Sequence, residues 1–323
     1  MDVETGNGTT SRLPFDRLVY ALGSTADTGP VPGAREHAFV LDSTSTAEDL
    51  RRALDRASPG ASSGASGGRV AVVGGGLTGV EVSTEIAEAY PALSVTLVTA
   101  GEIGGGLSVR GREYLLEALG RHGVELRERT RVEAVERGVL RTAGGEEVPA
   151  DSVVWAAGFA VPDLARRSGL ATDGRGRVLV DASLRSVSHA NGFAAGDSAW
   201  PVEPVGSGPV RPSTYTATII GAHAGGNVAR ELAGKPVKPL RFGYAIQSIS
   251  LGRRDGLAQF TDGYDKPFGW VVTGRMAALI KESIERFLVV GPLRLERLVP
   301  GVFAWRPAPR ARGGSVEDSA GNA

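Results

Sequence analysis

R-V-A-V-V-G-G-G-L-T-G-V-E, residues 69–81, is the stretch that decides the fold. Its residues 70–73 form a short apolar, mostly β-branched run, which predicts a buried parallel strand. Gly74, Gly76 and Gly79 follow at the spacing G-x-G-x-x-G, and the apolar and acidic residues behind them have helical patterning. A strand, a glycine turn and a helix start together bind a dinucleotide pyrophosphate, although the glycine spacing alone is weak evidence. The stretch therefore predicts a dinucleotide site, with a glycine turn that holds no ligand as the alternative.

Composition narrows the class of protein. The chain has 323 residues, enough for two domains, and equal numbers of basic and acidic residues, 36 each. This balance gives no electrostatic reason to expect a nucleic-acid partner. The absence of cysteine excludes structural disulfides, Cys-zinc sites and a redox-active Cys pair, and it fits a reducing, cytoplasmic compartment.

Targeting and metal signals are also weak. No secretory signal and no run of 18 apolar residues occur, so no transmembrane segment is predicted. The four histidines are scattered in sequence at His37, His122, His189 and His223. No metal site is expected from them.

The periodicity predicts an α/β fold with two Rossmann-like domains and a small C-terminal α+β region. Strands are predicted at 15–23, 94–99, 124–126, 153–157, 177–181, 192–195, 244–251 and 257–260, with two more and a turn within 131–148. Helices are predicted at 45–57, 111–122, within 209–231 and at 275–288. Ser45 and Glu48 suggest a capping box, and Lys281 is assigned to the polar face of the last helix.

The predicted units follow one another along the chain. They are a remnant of an FAD-binding domain (1–40), an NAD(P)-binding domain (41–154), a second part of the FAD domain (155–235), a C-terminal interface region (236–305) and a disordered tail (306–323). The Gly/Ser-rich residues 58–68 read as a flexible connector.

Three motifs in a fixed order carry a resemblance to a known family. F-D-R-L-V-Y-A-L-G-S (15–24) precedes the glycine stretch, and V-V-W-A-A-G-F (153–159) with G-F-A-A-G-D-S-A (192–199) follows it. This order resembles the FAD/NAD(P)-dependent pyridine nucleotide oxidoreductases over about residues 13–235. Without cysteine, the chain is most similar to their type II NADH dehydrogenase, apoptosis-inducing-factor and ferredoxin-reductase branches.

The resemblance implies a role for each matching residue. It implies that the nicotinamide dinucleotide binds the turn residues Gly74, Gly75, Gly76, Leu77, Thr78 and Gly79. It places Glu81 near the nicotinamide, and Ala157 and Gly158 as backbone that lines the same pocket. It implies that Asp197, after Gly196, binds the sugar chain of FAD and that Gly23 lies on the flavin-side crossover strand. The residues alone also allow Asp197 as a turn former or helix cap and Glu81 as a solvated helix charge.

The chain departs from the family pattern in two places. Family members carry a first G-x-G-x-x-G for the FAD pyrophosphate, and this sequence has a single such turn with a strand before it, so the FAD domain is expected to be N-terminally truncated and Met1 to be an incorrect start. The acidic residue expected at the adenine ribose is replaced by Thr99, and Glu102 comes three positions later. The sequence therefore slightly favours NADH as the cofactor, and NADPH stays an alternative.

Two functions remain open from the sequence. The first is an FAD-dependent NAD(P)H oxidoreductase, in which hydride passes from nicotinamide to flavin and electrons then pass to a quinone or another small acceptor. The second is a redox-silent NAD(P)-binding protein that has lost flavin. The amphipathic helix at 275–288 is predicted to be a core or dimer-contact helix rather than a membrane-surface helix, which would be more basic. A homodimer and a peripheral contact with the inner face of a membrane stay open.

Overall fold

The computed structural model describes residues 1–4, 6–58, 67–202 and 210–298, with residues 287–298 described by backbone alone. The first part of the chain contains β1 (Asp2–Glu4), β2 (Thr10–Arg12), β3 (Leu18–Tyr20), α1 (Ala34–His37), β4 (Ala38–Phe39), α2 (Thr44–Ala57), β5 (Arg69–Val73), α3 (Leu77–Ala89), β6 (Ser94–Val98), α4 (Val109–Arg121) and β7 (Glu125–Arg127). The middle contains β8 (Val132–Glu136), β9 (Val139–Thr142), β10 (Glu147–Pro149), β11 (Ser152–Trp155), α5 (Leu164–Arg167), β12 (Val178–Val180) and β13 (Gly192–Ala194). The last part contains a 3-10 helix (Gly196–Ser198), β14 (Ala199–Pro201), α6 (Thr214–Leu232), β15 (Ile246–Ser250), β16 (Gly256–Thr261), β17 (Pro267–Thr273) and α7 (Gly274–Leu298).

A five-stranded parallel sheet forms the centre of the nucleotide-binding region. Its strand order is β4-β11-β5-β6-β7, and every neighbouring pair is parallel. Successive side chains of β5 enter two different cores, Val70 and Val72 on one face and Ala71 and Val73 on the other. Burial on both faces explains why this strand is a continuous apolar run, as the sequence predicted.

The small sheet beside it differs from the prediction. We expected two strands within 131–148, whereas β8, β9 and β10 form a three-stranded antiparallel sheet. The predicted turn at A-G-G-E-E connects β9 to β10, and an additional tight turn at Arg137–Gly138 separates β8 from β9. Gly138 has a φ of 87°, which supplies the left-handed backbone of that turn.

The start of α2 also corrects the sequence analysis. The predicted capping box at Ser45 and Glu48 is wrong, because Ser45 already lies inside the helix. Ser43 is the cap: its hydroxyl accepts a hydrogen bond from the Thr46 amide at 3.2 Å, and the Ser43 amide donates to the Thr46 hydroxyl at 3.3 Å. Ser43 has the extended backbone that a helix cap requires, and this satisfies one of the free amides of the first turn.

A second core lies beside the nucleotide-binding sheet. The short parallel pairs β3–β13 and β12–β14 pack with α6 around Phe242, Leu184 and Ile220. In the part of the chain that the structure describes, β3 is paired along one edge, by β13. Val19 of this strand is half-exposed.

The C-terminal strands β15, β16 and β17 form an antiparallel sheet on which α7 packs. β15 and β16 confirm two predicted antiparallel strands, and β17 was not predicted. Ile249, Leu251 and Leu257 of this unit belong to the same buried cluster as Val80 of α3 and Leu115 of α4.

A polar contact also joins the C-terminal sheet to the nucleotide-binding region. The buried Gln259 accepts hydrogen bonds from the Ser108 hydroxyl at 2.6 Å and the Ser108 amide at 3.1 Å, which fixes the residue that caps α4.

None of the helices in the described ranges is long and apolar enough to cross a membrane. The connector predicted at 58–68 lies mostly outside those ranges, and the tail predicted to be disordered at 306–323 lies wholly outside them.

Candidate functional site

The glycine turn after β5 is closely packed at two of its positions. Gly74 has a φ of 126°, and a Cβ there would lie 2.6 Å from the carbonyl oxygen of Ala156. A Cβ on Gly79 would lie 1.8 Å from the Gly74 carbonyl oxygen. These glycines therefore let helix α3 approach the end of the sheet, which is the packing role of the first and third glycines in a dinucleotide turn.

Gly76 is different, because space opens in front of it. Its backbone angles, φ −72° and ψ 177°, suit any residue, and a Cβ there would meet no atom within 4 Å. Gly76 also caps α3, and no side chain caps this helix end. The free amides of the first helical turn, which include those of Leu77 and Thr78, are the groups that bind a pyrophosphate in turns of this kind.

Thr99, Ala157 and Gly158 lie at the same edge of the sheet as the glycine turn. They follow β6 and β11, the strands on either side of β5. The Thr99 hydroxyl lies 2.8 Å from where a Cβ on Gly75 would stand. Ala157 accepts a hydrogen bond from the Asp27 amide at 3.2 Å. The carboxyl ends of parallel strands are where nucleotides bind in such sheets, and the structure brings these predicted residues together there.

Glu81 lies on a different side of α3, towards the C-terminal unit. Its Oε1 accepts hydrogen bonds from the Ser250 amide at 3.0 Å and from the Lys281 ammonium. Lys281, assigned from sequence to the polar face of the last helix, has a side chain that is 11% exposed and that pairs with both Glu81 and Glu285. A charge that is removed from water needs such partners, so Lys281 fastens α7 to α3. The role of Glu81 at the nicotinamide stays a prediction.

The G-D motif forms a second cluster with the crossover strand. Asp197, in the 3-10 helix, accepts a hydrogen bond from the Ser24 hydroxyl at 2.7 Å, and Ser24 follows Gly23. Gly23 and Gly196 both have left-handed backbone, with φ values of 65° and 68°. A carboxylate held on a tight turn is suited to the hydroxyls of a sugar chain, so this cluster fits that end of FAD. The described residues contain one G-x-G-x-x-G turn after a strand, the one at 74–79.

A short antiparallel bridge connects the two clusters. Thr25 and Ala160 exchange both backbone hydrogen bonds, each at 2.9 Å. Asp27 continues from Thr25 to the Ala157 carbonyl, so the residues after Gly23 run along the loop that follows β11. Sequence reasoning missed Ser24 and Asp27, although the position of Ser24 beside Gly23 in A-L-G-S was a usable signal.

Tyr215 lies in the first turn of α6, the helix that packs against the 3-10 helix of Asp197. Burial raises the pKa of the Tyr215 phenol to about 12. The phenol therefore stays neutral at physiological pH. Its ring lies 6.0 Å from that of Phe242, within the core beside the G-D motif.

Comparisons with known proteins agree with this geometry. The model of the pyridine nucleotide-disulphide oxidoreductase family matches residues 1–226. An NADH dehydrogenase-like protein of Mycobacterium tuberculosis is 31% identical, covering 88% of this chain and 72% of the relative. A type II NADH:quinone oxidoreductase of Staphylococcus epidermidis is 28% identical over 88% of this chain and 72% of the relative.

A solved structure shares the fold. The crystal structure of an FAD-dependent pyridine nucleotide-disulphide oxidoreductase from Desulfovibrio vulgaris matches with a TM-score of 0.61 and 26% identity. The match covers 79% of this chain and 62% of that one.

The fold and the turn at its centre define an oxidoreductase of the two-dinucleotide type, with FAD and NAD(P)H as its cofactors. The chain belongs to the pyridine nucleotide-disulphide oxidoreductase family. This confirms the resemblance stated from the three motifs.

Proposed function

We propose that this chain oxidises NAD(P)H and, with FAD, reduces a quinone. The observation that carries the proposal is the open space at Gly76, in front of a helix end that no side chain caps and next to Thr99. The printed name of the Staphylococcus epidermidis relative supports a quinone as acceptor.

The protein residues bind and orient in this proposal. Gly74 to Gly79 hold the pyrophosphate of the nicotinamide dinucleotide. The Ala157–Gly158 backbone lines the pocket for the nicotinamide ring. Asp197, oriented by Ser24, holds the sugar chain of FAD. When both cofactors are bound they supply the hydride chemistry, and a protein acid or base is not required for that step.

A redox-silent NAD(P)-binding protein is the second candidate. The feature that favours it is the free edge of β3, together with the single glycine turn in the described part of the chain. This candidate shares the dinucleotide site and lacks electron transfer.

A reductase assay separates the two candidates. With added FAD and a water-soluble quinone, we expect the protein to oxidise NADH, and we expect Asp197→Ala to lower the rate about tenfold or more at subsaturating FAD, because a hydrogen-bond partner of the cofactor is lost. Asp49→Ala, an exposed carboxylate on α2 paired with Arg52, is the matched control and should keep the parent rate. NADH binding without quinone reduction at any FAD concentration would favour the redox-silent candidate.

We also propose that the chain is cytoplasmic and touches the inner face of a membrane through an aromatic surface on β17 and the start of α7. This surface consists of Phe268, Trp270, Met276 and Leu279, each between 44% and 62% exposed. Phe268 and Trp270 stack with parallel rings whose centroids are 6.4 Å apart. Adjacent exposed aromatic side chains, with other exposed apolar residues on the next helix, are typical of a contact with lipid or protein.

Vesicle sedimentation tests the membrane contact. The parent protein should sediment with phosphatidylglycerol-containing vesicles, and Phe268→Ser/Trp270→Ser should remain largely in the supernatant. Leu164→Ser, an exposed leucine on α5, is the control and should behave as the parent. If the parent protein does not sediment with vesicles, and the double variant is a monomer where the parent is a dimer in sedimentation velocity, a second copy of the chain occupies the surface.

A further inference from the structure

An exposed ion pair lies close to the glycine turn and is connected to it through Thr99 and Gly101. Glu102 and Arg129 pair at 2.5 Å, on the loops that follow β6 and β7. Short contacts lead from the turn to this pair. The Thr99 side chain lies against Gly75, and its hydroxyl accepts from the Gly101 amide at 3.3 Å. The Gly101 carbonyl then accepts from the Arg129 amide at 3.1 Å.

This position corresponds to the adenosine end of a bound dinucleotide. The adenine ribose lies where the second strand of the sheet ends, which here is Thr99. NADPH differs from NADH in carrying a phosphate on that ribose, and a guanidinium is the side chain best suited to bind a phosphate. Thr99 has no charge, so the nearest charged groups decide between the two cofactors.

Arg129 is the arginine of this edge that is easiest to release. Arg112 donates to both carboxylate oxygens of Glu128 and to the Ile103 carbonyl, which fixes it. Arg127 is held by two carboxylates, those of Glu125 and Glu146. The Arg129 side chain is 78% exposed and pairs with Glu102, and such exposed pairs contribute little to folding.

We propose that the Glu102–Arg129 pair selects between NADH and NADPH. With the pair intact, Glu102 neutralises Arg129 and repels a 2′-phosphate, so NADH is preferred. Without the Glu102 charge, Arg129 binds the 2′-phosphate of NADPH. The inference rests on the proposed function for its dinucleotide site and adds the residues that set the cofactor preference.

Binding titrations with NADH and NADPH, followed by calorimetry and without FAD, test the pair. Glu102→Gln should tighten NADPH binding about tenfold relative to NADH, since a charge-assisted contact is gained and a repulsion is removed. The gain should shrink as salt is raised. Adding Arg129→Ala to Glu102→Gln should return the preference to that of the parent.

Glu136→Gln is the control, because Glu136 forms an exposed pair with Arg141 on β8 and β9, and Arg141 also pairs with Glu147. It should leave both affinities unchanged. An unchanged NADPH/NADH ratio in Glu102→Gln, or a gain that survives Arg129→Ala, overturns the inference while the proposed function stands. A parent protein that binds neither dinucleotide overturns both.

Discussion

Gly76→Val is expected to weaken binding of NADH and NADPH about 100-fold or more, a loss of about 2.7 kcal/mol, while the protein stays folded. The backbone at Gly76 suits valine, and the new side chain would meet no protein atom within 4 Å at its Cβ. It would instead enter the space that the pyrophosphate must occupy against the helix end. Calorimetric titration measures the affinity, and thermal unfolding confirms the fold.

Two further glycine variants make the result specific. Gly269→Val, on the exposed strand β17 with open space around it, should change neither affinity nor stability. Gly79→Val should lower the unfolding temperature, because its Cβ would overlap the Gly74 carbonyl oxygen. If Gly76→Val binds the dinucleotide as tightly as the parent, the ligand does not lie at this turn.

The second large effect concerns FAD. A polypeptide of these 323 residues is expected to retain far less than one FAD per chain after gel filtration, and therefore to be nearly colourless. The family resemblance implies that FAD is held at its pyrophosphate and at its sugar chain, and in the proposed function Asp197, which Ser24 orients, holds the sugar-chain end. The glycine turn after β5 is proposed to bind the nicotinamide dinucleotide and not FAD.

Adding a second glycine turn should allow the polypeptide to retain FAD. An N-terminal extension of roughly 80–100 residues that contains a strand, a G-x-G-x-x-G turn and a helix gives β3 a partner for its free edge. We expect this protein to be yellow and to oxidise NADH. The same extension with its second glycine changed to valine keeps the strand and should remain colourless. A 323-residue chain that purifies with stoichiometric FAD would show that another segment binds the pyrophosphate.

The nucleotide-binding half was the more predictable part of the fold. β5 and β11 are mostly apolar strands buried on both faces, and β6 buries Val95, Leu97 and Val98. A Cβ on Gly74 or Gly79 would overlap a backbone carbonyl, whereas a Cβ on Gly76 would meet no atom within 4 Å. The apolar strands and the glycine spacing are both visible in the local sequence. They also predict the start of helix α3, because the turn between β5 and α3 is short.

The remaining features depend on long-range contacts. The burial of Lys281 could not be predicted from sequence, because its partner, Glu81, lies 200 positions earlier. β17 was missed because Phe268 and Trp270 are exposed and Val271, which packs against the buried cluster, is the strand's weak core signal. Ser45 was predicted as the cap of α2, whereas the extended backbone at Ser43 makes that residue the cap. Arg129 could be assigned to the ribose end only after β7 was placed next to β6.

The C-terminal unit and the nucleotide-binding helices share one apolar interior, with Ile249, Leu251 and Leu257 packed among the side chains of α3 and α4. The two regions are therefore not separable building blocks. A fragment that contains only the segment with the glycine turn would expose the apolar side chains of α3 and α4 to solvent. Such a fragment would be prone to aggregate. A chimera of two relatives should therefore take the residues near positions 81, 250 and 281 from the same parent. Otherwise the contacts of Glu81 with Ser250 and Lys281 would be lost.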